Sequence, residues 1–355
     1  MQEKSQLLEM YQEMLSKTLR FYWNNLKGSI KARRYLKERG ISVESVRRFG
    51  LGYSEAGSQS LRTIFPNYQV PALVACGLAV DGEKGRYDRF RDRIIFPILS
   101  ESGRVIAFGG RRIEGKGPKY LNSPETPLFD KGATLFGLPQ ARASIEALQE
   151  VIVVEGYLDV VIPAQHGIGN IVATLGTATT TRHLEKLMSL DVRRIVFCFD
   201  GDEPGRAAAA RAMEACIASI TPASPAIGFV FLPSSHDPDS YVQAQGAEAF
   251  RQRIAEAIGF EQFLVEYLRS GKDLATCEGR AHMAHVAFDV LARIEDAGLY
   301  YRLCEAVAED TELSVSEVIA LSGSARQRAW HAEKTPTETP AAPEKNPQAD
   351  SVRVA

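Results

Sequence analysis

Four short apolar runs constrain what the middle of this chain can fold into: VIVV at 151–154, IVAT at 171–174, IVFCF at 195–199 and IGFVF at 227–231. Each is continuous rather than alternating, and a segment able to form a helix separates each from the next. A strand that is apolar on both sides has to be covered on both faces. That is the arrangement of a parallel sheet flanked by crossover helices. The helix expected after Gly205, RAAAARAMEACIASI, is rich in alanine and should stop before Thr221-Pro222.

The flanks read differently. Residues 6–39 are mostly helical in pattern; the stretch 30–39 runs into Gly40, a helix stop, before a new helix over 43–49. Between Leu51 and Gly137 the pattern turns to short apolar runs. IIFPIL (94–99) and RVIAF (104–108), on either side of Ser102-Gly103, predict a strand pair within an α/β module. That module ends in GGRRIEGKGPKYLNSPET, too polar for a core and rich in groups able to touch a ligand. From Ala247 to about Ser322 the pattern is helical again, with Ser314 and Glu317 spaced as a capping box. Past Ala325, TPTETPAAPEKNP carries four prolines and little that is apolar, so a disordered tail is expected. The expected architecture is α/β throughout its core: an N-terminal α/β module at 1–148, a parallel-sheet domain at 149–246, a helical bundle at 247–325 and a tail at 326–355.

Composition excludes some classes. No run of about 18 apolar residues exists, and the opening MQEKSQLLEM lacks the plan of a signal peptide, so a cytoplasmic protein with no membrane partner is expected. Cys76, Cys198, Cys216, Cys277 and Cys304 are scattered without paired spacing, which indicates neither a zinc site nor a disulfide framework; buried free thiols are expected instead. The net charge of -2 says nothing of a nucleic-acid partner, but residues 83–119 hold ten Lys or Arg against five acids, with Tyr87, Phe90 and Tyr120 among or beside them. Such a stripe suits a phosphate backbone and stacked bases, or is simply a solvated charged face.

Acidic side chains gather where the parallel strands should end. Glu155 follows the first run directly, with Asp159 four residues on; Asp200 and Asp202 follow the third run, and Asp237 and Asp239 lie in HDPD after the fourth. Open parallel sheets place their ligand crevice at the carboxyl ends of the strands, so these six can converge. Carboxylates sharing one crevice repel each other unless a cation is present, and hard oxygen donors without Cys or His favour Mg²⁺ or Mn²⁺. Two such ions support phosphoryl or nucleotidyl transfer. The plainer alternative is that Asp159 and Asp202 are helix N-terminal acids and that Asp237 and Asp239 cap a turn at Pro238.

The succession EGYLDV, ATLGTATT, FDGDEPGRAA and DPD resembles the Toprim domain, the metal-binding fold shared by bacterial primases, topoisomerases and some nucleases. YDRFRDRIIFPI, GRVIAFGGR and PKYLNSPET with FDKG are similar to the RNA-polymerase core of the bacterial DnaG-type primase, and the resemblance covers roughly residues 7 to 322. It implies a DNA-dependent RNA primase that joins ribonucleoside triphosphates along single-stranded DNA. It further implies Glu155, Asp200 and Asp202 as principal metal ligands and catalytic residues, with Asp159, Asp237 and Asp239 supporting them. Arg39, Arg89, Arg91, Arg111, Lys119, Tyr120, Asn122 and Lys131 are implied as the surface for template and nucleotide. Gly109 and Gly110 would let backbone approach a phosphate.

His236 is the only histidine beside a motif, and a loop or supporting role is expected for it, because metal-assisted polymerisation needs no histidine base. The zinc-binding and helicase-binding domains of a full replicative primase are not visible, so a zinc-domain protein or a replicative helicase would act in trans. Two other readings remain open: a Toprim nuclease, disfavoured by the primase-like YDRFRDR and PKYLNSPET, and a catalytically silent accessory protein, disfavoured by six acids retained at motif positions.

Overall fold

The structure, a computed structural model, describes residues 2–334 apart from 177, 178 and 218. Three helices open the chain: α1 (Gln2–Gly28), α2 (Ile30–Glu38) and α3 (Val43–Arg48). Ser29 and Ser42 separate them, and each serine side chain accepts a backbone N–H of the helix it starts. After β1 (Gly52–Ser54) come the short helix α4 (Ala72–Ala75) and a hairpin of β2 (Ala79–Gly82) with β3 (Gly85–Asp88). The expected strand pair follows as β4 (Arg93–Leu99) and β5 (Val105–Arg112), and β6 (Tyr120–Asn122) completes an antiparallel sheet ordered β1-β4-β5-β6.

Both faces of that sheet are buried, and alternation along β4 shows how. Ile95, with Val105 and Phe108 of β5, packs among Tyr11, Leu15 and Tyr22 of α1. Ile94, Phe96 and Ile98 point the other way, into a core shared with the parallel sheet.

The segment read as too polar for a core begins inside one. Gly109 and Gly110 are buried residues of β5, and their missing side chains admit neighbours rather than a phosphate. A Cβ on Gly109 would lie 2.1 Å from the Tyr157 hydroxyl; one on Gly110 would lie 2.7 Å from the Phe90 ring.

The four apolar runs form the parallel sheet as expected. After α5 (Leu138–Leu148) the order along the chain is β7 (Glu150–Val154), α6 (Tyr157–Gln165), β8 (Ile171–Ala173), α7 (Thr181–Met188), β9 (Arg194–Phe199), α8 (Glu203–Ile217) and β10 (Ala226–Phe231). Helix α9 (Pro238–Ala255), the short antiparallel strand β11 (Ile258–Gly259) and α10 (Phe260–Arg269) close this part. In space the strands run β11-β10-β9-β7-β8. The chain therefore leaves β7 toward β8 and then returns past it to lay down β9, which makes the gap between β7 and β9 the switch point of the sheet. Helix α6 packs on α9, whereas α8 packs against α7 and α10.

The chain divides into two compact units. One holds Met1–Ser270 and Ile294–Leu299, so both sheets belong to it; the other holds Gly271–Arg293 and resumes at Tyr300. In the second unit α11 (Cys277–Leu291) packs on α13 (Val315–Lys334), while α12 (Ala297–Thr311) joins the two in sequence. The Ser314 and Glu317 capping box is present, the Ser314 N–H donating to Glu317 over 2.8 Å and the Glu317 N–H donating to Ser314 Oγ over 3.2 Å. Helix α13 continues to Lys334, past the start expected for the tail, because RQRAWHAEK is made of helix formers and the first proline comes only at Pro336. The rest of the expected tail lies outside the described residues. Four of the cysteines are buried and free, but Cys277 is exposed, since it opens α11 at the surface.

Gly109→Ala is expected to cost roughly 1–3 kcal/mol of stability, the usual range for overpacking a tight interior. Gly259→Ala should be nearly neutral, since a Cβ there meets nothing within 4 Å. Denaturant unfolding of the two variants checks this.

Candidate active site

Glu155 and Asp200 each follow directly on one of the two strands flanking the switch point, β7 and β9. Local sequence holds the turn after β9 tightly. A Cβ on Gly201 would lie 1.8 Å from the Leu232 carbonyl oxygen, and one on Gly205 would lie 2.1 Å from that of Asp200, so both positions admit only glycine without a backbone shift. Asp202 Oδ1 accepts the Gly205 N–H over 2.8 Å at the start of α8. Asp237 does the same for α9, accepting the Ser240 N–H over 2.8 Å. The helix-cap alternative is thus true of Asp202 and Asp237. It occupies one carboxylate oxygen of each. Asp159 and Asp239 sit in the first turns of α6 and α9, and the Asp239 N–H donates to Asp159 Oδ1 over 3.4 Å.

Glu155, Asp159, Asp200, Asp237 and Asp239 line one cleft of about 280 Å³, together with Arg39, Arg111, Lys119 and Tyr120. Burial pushes the Asp159 carboxyl up to about 8, helped by the charges of Asp237, Asp200 and Asp239. Asp200 is pushed up to about 6, again by burial first and then by Asp237, Glu155 and Asp202, with Lys119 opposing. Glu155 and Asp239 are raised for the same reasons, against Arg211 in the first case and Gln243, Arg111 and Arg39 in the second.

Four acids that are each raised by at least one neighbouring acid are suited to a divalent cation, whose charge would reverse the penalty. Among the described residues, no three acidic, histidine or cysteine side chains stand as a finished ligand set. The acids offer a few carboxylates in an open cleft, which is how Mg²⁺ is usually held, with waters and phosphates filling the remaining positions.

The cationic residues of the cleft come from the antiparallel sheet and from α2. Arg111 of β5 is only 4% exposed; its Nε donates to the Tyr35 hydroxyl over 2.6 Å, its Nη1 donates to the Tyr120 hydroxyl, and its guanidinium lies 5.1 Å from the Tyr120 ring centre. Arg39 lies 5.8 Å from the Tyr35 ring centre, and the Lys119 ammonium 5.8 Å from that of Tyr120.

Other expected residues lie elsewhere. Asp202 does not line the cleft, although it is near enough to raise Glu155 and Asp200. Arg89 and Arg91 line a second concavity with Arg93, Arg112 and Lys116. Arg89 is braced there by donating twice to the Asn122 carbonyl oxygen (2.9 and 2.8 Å), and Arg91 lies 4.6 Å from the Tyr87 ring centre.

The Asn122 side chain is committed to the fold: it accepts the Tyr157 hydroxyl over 2.7 Å and donates to the Leu175 carbonyl oxygen over 2.9 Å. Lys131 lies outside the cleft lining, its N–H donating to Glu125. His236 is 3.4 Å from the Ser240 hydroxyl and edge-on to Tyr241, in keeping with a supporting place. Tyr35 and Gln243, which hold Arg111 and Asp239, were not anticipated; their spacing of four residues from Arg39 and Asp239 on helices was the available signal.

Comparison with known proteins bears on this geometry. Residues 21–142 match the family model for the N-terminal domain of the DNA primase catalytic core, and residues 149–223 match the Toprim domain. A solved DNA primase domain from Pseudomonas aeruginosa is 43% identical with a TM-score of 0.82, covering 88% of this chain and 99% of that one. The chain belongs to the bacterial DnaG-type DNA primase family. A DnaG primase catalytic domain solved bound to single-stranded DNA is 35% identical at a TM-score of 0.81, covering 88% of this chain and 99% of that one. Among curated DNA primases, that of Neisseria meningitidis serogroup A is 42% identical over 304 residues and that of P. aeruginosa 45% over 310. Each match covers 85% of this chain, but only 51% and 46% of the relative, so the chain spans about half the length of these primases.

One expectation is overturned. Residues 261–316 match the DnaB-helicase binding domain of primase, where no helicase-binding segment was anticipated. Helices α10 to α12 carry no catalytic-type motif, and an amphipathic helical pattern alone reads as an anonymous bundle.

Because the folded-state value for Asp159 lies above its unfolded one, the metal-free native state holds the extra proton between about 4 and 8, and stability falls as pH rises through that window. Asp159→Asn should flatten that slope and raise the melting temperature at pH 8 by roughly 2–4 °C, the shift that about 1 kcal/mol produces in a domain of this size. Thermal unfolding in excess chelator measures both.

Proposed function

We propose that this cleft synthesises short RNA primers on single-stranded DNA by nucleotidyl transfer. The single observation that carries the reading is the meeting of five carboxylates with Arg39, Arg111 and Lys119 in one cleft at the sheet's switch point, in a chain of the primase family. Glu155 and Asp200 would hold Mg²⁺ or Mn²⁺, Asp202 would offer the oxygen its cap leaves free, and Asp159, Asp237 and Asp239 would complete the acidic surroundings. Such ions, when bound, activate the attacking hydroxyl and stabilise the leaving oxygen.

This chain's own groups do the rest. The Arg39 and Arg111 forks and the Lys119 charge hold the triphosphate and set its approach, and Tyr120 keeps Arg111 flat. Arg89 and Arg91, in the second basic concavity, track the template backbone. Asn122 acts indirectly, tying β6 to α6 and to the loop after β8.

A replicative helicase is the proposed partner of the 261–316 segment, supported by its family match. No described helix is long and apolar enough to cross a membrane, which is compatible with work in the cytoplasm.

Incorporation of labelled ribonucleotides on single-stranded DNA tests the reading. Glu155→Gln and Asp200→Asn should each cut primer synthesis by at least about 100-fold, the scale of losing one group that stabilises transition-state charge, while circular dichroism stays unchanged. Lys119→Ala should mainly raise KM for the nucleotide, by roughly tenfold. Normal synthesis by either carboxylate variant would refute the assignment.

A further inference from the structure

Arg111 is a charged side chain that is almost wholly buried, yet no carboxylate is hydrogen-bonded to it among the described residues. Its two fixed contacts are to phenols: Nε to the Tyr35 hydroxyl and Nη1 to that of Tyr120. Nη2 makes no hydrogen bond among the described residues, and the side chain lines the cleft. Two tyrosines thus hold the guanidinium at Nε and at Nη1, on different sides of its planar outline, and leave Nη2 available to an anion in the cleft.

Tyr35 does a second thing. Four residues on, at the C-cap of α2, Arg39 lies over its ring, and Arg39 also lines the cleft. One side chain therefore touches both arginines, by its hydroxyl and by its face.

We propose that Tyr35 is a positioning residue that sets Arg39 and Arg111 as a paired clamp on the triphosphate of the incoming nucleotide. The inference rests on the primase reading and deepens it. A neutral phenol suits the task better than an acid would. A carboxylate would neutralise Arg111 and compete with phosphate, whereas a phenol fixes its plane and leaves its charge available. Tyr120 holds the same guanidinium from β6, so the fork is located by two elements, α2 and β6.

Tyr35→Phe removes the hydroxyl and keeps the ring; Tyr35→Ala removes both. Tyr35→Phe is expected to raise KM for the nucleotide roughly three- to tenfold with kcat within about twofold, and to leave single-stranded DNA affinity and the circular dichroism spectrum unchanged. Tyr35→Ala should weaken nucleotide binding further, through Arg39. Adding Tyr35→Phe to Arg111→Ala should cost nothing beyond Arg111→Ala alone, because the two act through one contact.

Equilibrium dialysis of labelled ATP with Mg²⁺ reads the clamp without turnover. Weakened ATP binding in Tyr35→Phe supports it even if the wild-type chain makes no primers, an outcome that would count against the primase reading only. An unchanged nucleotide KM and ATP affinity in Tyr35→Phe, additive losses in the double variant, or a loss confined to DNA affinity would each overturn the clamp.

Discussion

Burial and mutual repulsion of carboxylates gathered in one cleft form the constraint around which this molecule is organised. Glu155, Asp159, Asp200 and Asp239 are all raised by burial and by at least one neighbouring acid, so each would be more stable alone. The fold holds them together regardless. Two of the neighbours, Asp202 and Asp237, are anchored as helix caps, and Gly201 and Gly205 let the turn after β9 press against the backbone around it. Stability given up at the cleft is recovered in the shared core beneath it, where β7, β9 and α6 are almost wholly apolar.

A sheet with acids at its switch point is only half a site for a phosphorylated substrate, and the antiparallel sheet supplies the other half. Tyr157 joins the two. It stacks on Phe96 at 4.8 Å, meets Phe136 edge-on at 4.8 Å and donates its hydroxyl to Asn122, while the absence of a side chain at Gly109 makes room for it. Since Arg111 lies two residues past Gly109 on β5, with Lys119 just before β6 and Tyr120 its first residue, whatever seats Tyr157 also aligns the cations with the acids. Packing and chemistry are coupled here through one aromatic ring.

The parallel sheet was legible in the sequence because continuous apolar runs admit few other fates, and the position of Glu155 and Asp200 followed from the rule for strand ends. The β4–β5 hairpin and the capping box at Ser314 were equally local. Less legible was anything that depends on a long-range neighbour. Gly109 and Gly110 looked like a loop made for a phosphate because a sequence does not show Tyr157 and Phe90 filling the space above them. Asn122 sits in a ligand-like motif, yet its side chain is used up by Tyr157 and Leu175. Arg89, Arg91 and Arg111 resemble one another in a basic stripe, but the connection between β3 and β4 carries the first two to one concavity and β5 carries the third to another. The helicase-binding match in α10 to α12 had no pattern beyond amphipathicity to betray it.

Binding of Mn²⁺ to the chelator-stripped chain, followed by the electron paramagnetic resonance of the free ion, tests most directly whether the acidic cleft is a cation site. The wild-type chain should take up Mn²⁺ saturably, Mg²⁺ should compete, and Asp200→Asn should lose most of the affinity while remaining folded. Equal uptake by wild type and Asp200→Asn, or none by either, would contradict the account.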